Sequence, residues 1–168
     1  MSEDRERAVL LAKLDVQRSH VLGTLEGLSD EQLREAALPS GWTPLGLVQH
    51  LALDVERFWF ACVVRGDEAA IAALDDPPED AWVVDDARPA AAVLDEYRMW
   101  IDRANVATAE TPLDAAPAWW PEGLFGSWRL HDLREVVVHV LAETATHAGH
   151  LDAARELADG RQWSVLNR

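Results

Sequence analysis

The chain has 168 residues, 49% of them hydrophobic and 27% charged, and carries a formal net charge of −15. That length and mix predict one globular domain, 1–168, large enough to bury a sizeable core. The acidic balance excludes nucleic acid as a partner, because phosphate binding needs clustered Lys and Arg, and it disfavours docking on an anionic membrane.

In chain order, Val9, Leu10, Leu14, Val21, Leu22 and Leu25 recur at helical spacing and predict a first helix over 3–27, ending near Gly27. Ser29 with Gln32 makes a capping box that opens a short helical turn through Glu35. After the break at Pro39-Ser40-Gly41, Thr43-Pro44 is a strong start signal for a second long helix running to Arg65, with Gly66 as its stop. Residues 67–88 are acidic and contain Pro77-Pro78, which predicts a surface loop with a helical turn at 68–73. Pro89 opens a third long helix to about Ala109. Residues 110–129, rich in proline, glycine and tryptophan, predict an ordered loop that covers something. A fourth long helix fills Leu130–Gly160, and 161–168 is a short tail. Trp82-Val83-Val84 is the only weak strand candidate. The fold class is therefore all-α, a four-helix bundle with longer connections after the second and third long helices.

No apolar run approaches the roughly 20 residues of a membrane span, and MSEDRERAVL has no signal-peptide core. Cys62, the only cysteine, cannot form an internal disulfide, so a cytoplasmic location is the expectation.

The last helix carries the main functional signal. At about 100° per residue, Asp132, Val136, His139, Glu143, His147, His150 and Ala154 fall close to one line on its surface. Val136 and Ala154 turn that line inward, and ionisable groups on an inward seam need pairing or a metal. His139, Glu143 and His147 are successively four apart; two side chains so spaced can bind one ion, and a further ligand must come from another helix. His50, three residues after Leu47 on the edge of an apolar stripe, is the best candidate. His50, Glu143 and His147 would supply two nitrogens and a carboxylate, a set found in catalytic zinc sites with an open position. The same set matches non-haem iron, with nickel or manganese as alternatives. His139 would then be a hydrogen-bonding partner of a ligand or an alternative ligand, and His150 a substrate contact.

Plainer readings stand beside these. A histidine at a stripe edge is usually a satisfied core residue, and the seam could be a solvated polar face. His20 and His131 read as surface or capping residues, Asp54 and Glu56 as solvated or paired along their own helix, and Cys62 as inert core. Arg129, Arg134 and Arg155 are candidate anion contacts, with charge pairing the simpler account. Trp119-Trp120 and Trp128 mean packing, or the lining of a pocket.

The stretch ETATHAGHLDAARELADG, preceded by REVVVHVLAE and paired with GWTPLGLVQHLALDVERFW, resembles the DinB-like superfamily. The likeness covers nearly the whole chain and is closest to the actinobacterial branch that includes mycothiol-dependent maleylpyruvate isomerase. It implies a four-helix bundle holding a divalent metal through one histidine of the second helix and two residues four apart on the last. Glutamate at 143, as in that branch, favours His50, Glu143 and His147. The resemblance further implies a metal-dependent S-transferase of a low-molecular-weight, mycothiol-like thiol onto an electrophilic small molecule. Zinc is the first choice of ion, and a homodimer is implied. The chain ends soon after its fourth long helix, without the isomerase's extra C-terminal domain, which argues against isomerase activity. A non-catalytic metal- or small-molecule-binding stress-response protein is the alternative.

Overall fold

The computed structural model describes residues 2–75 and 80–163; Pro77-Pro78 of the expected surface loop and the end of the tail lie outside them. Its helices are α1 (Glu3–Leu25), α2 (Asp30–Arg34), α3 (Pro44–His50), α4 (Glu68–Ala72), α5 (Ala90–Glu110) and α6 (Leu133–Asp159). After His50, α3 runs on as a π-helical segment, Leu51–Val64. The described residues contain no strand, and Trp82-Val83-Val84 leaves a turn in which Asp80 accepts from the N–H groups of Trp82 and Val83.

Local chemistry sets most of the helix ends. Ser29 and Gln32 form both halves of the capping box ahead of α2. Thr43 accepts from the Gly46 N–H with Pro44 in the first turn of α3, and Asp132 caps α6 through the Glu135 N–H. Gly160 ends α6 at φ 76°, a left-handed conformation that glycine adopts without steric penalty.

The long helices form an all-α bundle in which α1 lies along α6 and the π segment along α5, while α3 and the π segment both reach α6. The sequence pattern predicts a regular α-helix from 44 to 65, and the structure differs there. Wider bonds such as Arg65 N–H to the Phe60 carbonyl (3.2 Å) close the π segment. Every residue from Leu51 to Val64 except Asp54 and Arg57 is buried. Packing by α4, α5 and α6 on several sides outweighs the local preference read from one apolar stripe.

Glu56 also departs from expectation. It is fully buried and takes a bidentate pair from Arg18 of α1, Nε to Oε1 and Nη2 to Oε2, each at 2.7 Å. Arg18 additionally donates to Asp15 and Asn105, both at 2.9 Å. The pair ties α1 to the π segment from within the core. Breaking one side of such a pair is far more costly than its net contribution, because the other charge is left buried.

The connection from α5 to α6 is ordered by hydrogen bonds along its length. Trp119 N–H donates to the Val63 carbonyl, Leu133 N–H to Ala115 and Arg134 N–H to Leu113. From α1, Arg7 donates to the Thr108 and Thr111 carbonyls, and Glu3 accepts from the Leu113 N–H. This connection covers one side of the π segment, which is the role its composition predicts.

Candidate metal centre

His50 closes α3, and Glu143 and His147 stand one turn apart on α6. Each of the three offers a ligand atom, and these atoms all lie within 4.8 Å of one another. Glu143 Oε2 is 3.6 Å from His147 Nε2, and the His50 and His147 rings meet edge to face with centroids 5.1 Å apart. An ion about 2.1 Å from each ligand atom requires neighbouring ligand atoms roughly 3 to 3.5 Å apart, so only a small closure separates this arrangement from a coordination shell. Burial, together with His50 beside it, pushes His147 down to about 4. Its ring is therefore neutral at pH 7 and presents a lone pair rather than a charge.

The surrounding groups hold these rings in place. The Asp54 carboxylate lies 2.9 Å from His50 Nδ1. Trp82 stacks on a face of the same imidazole, 4.2 Å between centroids and 19° between planes. Trp82 is itself clamped, since Gln49 Nε2 donates to the carbonyls of Ala81 and Val83 at 3.1 Å each. Arg88 in turn donates to Gln49 Oε1 at 2.7 Å. Gly46 lets this segment approach, because a Cβ there would stand 2.2 Å from the Trp82 carbonyl oxygen. The sequence pattern marks Trp82 only as part of a weak strand candidate and does not mark Gly46; the i, i+4 spacing of His50 and Asp54 is the available signal for Asp54.

His139 and His150 are outside the group of three. His150 is exposed, with Nδ1 3.5 Å from His147 Nδ1 and its ring 6.1 Å from Trp42. His139 packs against Trp59 and Trp128, with centroids 4.6 Å and 5.3 Å away, and burial holds it below the ordinary imidazole range. It shares with His50, Asp54 and Glu143 the polar end of a cavity of about 370 Å³. Val55, Phe58, Trp59, Leu124 and Phe125 form the cavity's apolar walls. Gly123 and Gly126, at φ 84° and 59°, flank Leu124-Phe125 and allow the turns that bring this pair back over the π segment. Trp120 and Trp128 back this wall against Trp59, at 6.0 and 6.1 Å.

Other sequence candidates fall elsewhere. Burial pushes the Cys62 thiol up to about 11, which leaves it protonated and inert at neutral pH. His20 is not a plain surface residue, for its Nε2 lies 2.8 Å from Asp152 of α6 and its ring stacks on Trp163. His131 is exposed and offers its backbone N–H to Glu135. Arg129 pairs with Glu122, and Arg134 with Glu6 and Asp132. Arg155 is buried and pairs with Asp159 at 2.9 Å, and its donation to the Thr24 and Glu26 carbonyls ties α6 to the end of α1.

The all-α bundle thus brings two imidazoles and a carboxylate together beside an aromatic cavity, a group that could hold a metal ion. The family model for mycothiol-S-transferase matches residues 9–160, and the chain belongs to that family. The DinB-like resemblance of the sequence agrees with this membership. No curated protein and no solved structure matches the chain. Among the described residues, no helix is long and apolar enough to cross a membrane.

Proposed function

We propose that this protein is a divalent-metal-dependent transferase that joins a mycothiol-like thiol to an electrophilic small molecule. The observation that carries the reading is the convergence of His50, Glu143 and His147 within 4.8 Å in a member of this family. The donor set fits a metal: two imidazoles and one carboxylate, with space on the cavity side for a further ligand. Zinc is the ion we expect. A divalent ion held there supplies the acidity that converts a thiol to a thiolate at neutral pH.

The chain's own residues do the rest. Asp54 accepts from His50 Nδ1 and fixes the tautomer that leaves Nε2 as the ligand atom. His147 Nε2 faces Glu143, while its Nδ1 faces His150, a position from which His150 orients the ring. Val55, Phe58 and Phe125 exclude water from the side on which the electrophile lies. His139 lines the cavity outside the ligand set, and we assign it substrate contact.

Exposed apolar residues on α1 and α6, including Val9, Val16 and Val138, support a homodimer, which light scattering of the purified chain would test. The function itself is tested on untagged protein by elemental analysis and by conjugation of mycothiol to monobromobimane. About one divalent ion per chain and turnover above background are expected. Metal content near zero in protein purified without chelator would overturn the proposal.

A further inference from the structure

Resting on the transferase reading, we infer that the electrophile is uncharged, planar and aromatic or quinone-like, and that it sits against Trp59 and Phe125. Stacking surface is what the cavity offers. Trp59 and Phe125 lie nearly parallel at 5.7 Å and 15°, with the Phe58 ring edge-on to both at 5.0 and 6.1 Å. A flat ring laid beside these walls gains apolar burial and face-to-edge contact, whereas a branched or hydrated molecule gains little.

Charge argues in the same direction. Among the described residues no Lys or Arg lines the cavity, while Asp54 and Glu143 do. A bound divalent ion would be balanced by those two carboxylates, and the thiolate then adds a negative charge of its own. An anionic electrophile would enter with no cation to meet it, in a chain whose net charge is already −15. A neutral ring meets no such penalty.

A quinone shows that the step closes without another reagent. The thiolate sulfur gives an electron pair to a ring carbon of the C=C bond and the S–C bond forms. The π pair moves to a carbonyl oxygen, which takes a proton, and the proton on the attacked carbon shifts to the second carbonyl oxygen. The product is a hydroquinone thioether containing every atom of thiol and quinone. No oxidant is consumed.

The test separates binding from turnover. The full-length, zinc-loaded protein is titrated calorimetrically with naphthalene-2-carboxamide and with naphthalene-2-sulfonate, neither of which reacts with a thiol. The neutral ring is expected to bind at least about tenfold more tightly. Phe125→Ala should weaken it about tenfold, and Leu124→Arg, at an exposed rim position, should bring the two affinities within about threefold. Equal or tighter binding of the sulfonate, or indifference to both substitutions, overturns the inference. Conjugation of mycothiol to 1,4-naphthoquinone is measured on the same preparation. Neutral preference without conjugation supports the binding site and removes the transferase reading. Conjugation without neutral preference does the reverse.

Discussion

The Asp54 carboxylate stands 2.9 Å from His50 Nδ1, four residues further along the chain. The two side chains straddle the place where α3 passes into the π segment, so the proposed ligand and the group that would orient it are carried by one continuous rod. Asp54→Ala keeps the imidazole and removes its orientation. We expect divalent-metal affinity to fall about tenfold while the fold is retained, since Asp54 is roughly half exposed. Competition with a chromophoric chelator measures the change, and unaltered affinity would rule out the positioning role.

His147 sets a pH dependence for the metal-free protein. Its folded value of about 4 lies below the ordinary 6.5, so between these pH values the unfolded chain holds a proton that the folded chain lacks. Stability therefore falls as the pH drops from 6.5 toward 4, by at most about 3 kcal/mol. Urea melts at pH 7 and pH 5 should show the loss in wild type. In His147→Gln the difference should shrink.

At Gly46 two effects oppose each other. Alanine in a helix gains about 1 kcal/mol over glycine. The added methyl, however, would stand 2.2 Å from the Trp82 carbonyl oxygen, and a backbone atom cannot swing aside. Crowding wins, and Gly46→Ala is expected to destabilise by about 1–3 kcal/mol and to lift Trp82 off His50. A raised Tm with unchanged tryptophan fluorescence would refute this.

Removing one partner of the core ion pair should be the most damaging of these changes. Glu56→Ala leaves Arg18 charged and buried, at an expected loss of about 3–5 kcal/mol in a urea melt. The double variant Arg18→Met with Glu56→Met removes both charges and should recover most of that loss. A double variant as unstable as the single one would mean that the bonds to Asp15 and Asn105 matter more.

The bundle was legible because it rests on periodicity, whereas the joining of His50 to Glu143 and His147 was implied by its place on the edge of an apolar stripe together with the DinB-like resemblance. Helical spacing marks the long elements, and a four-residue step on α6 places Glu143 beside His147. What stayed hidden depends on contacts distant in sequence. Glu56 looks like any solvated glutamate until Arg18 of α1 is brought against it. Residues 51–64 lose their one-sided pattern because they are buried nearly all round, so nothing in their spacing announces the wider turns. Leu124 and Phe125 sit in a glycine-flanked stretch with no periodicity, and only the folded connection sets them opposite Trp59. Trp82 reaches His50 through backbone carbonyls held by Gln49, a relation without any signature in side-chain pattern.

The first two turns of α1 act as a buckle for the strap that carries the cavity wall. Glu3 and Arg7 grip the chain around Thr108–Leu113, and Glu6 grips Arg134 at the start of α6. All three precede the stretch shared with the family, which begins at residue 9. A version trimmed to that stretch would keep every ligand yet release one end of the strap that carries Leu124 and Phe125. On the proposed reading, such a trimmed protein would load a divalent metal normally and still grip flat rings poorly, so tags and truncations at this end would mislead a screen for substrates.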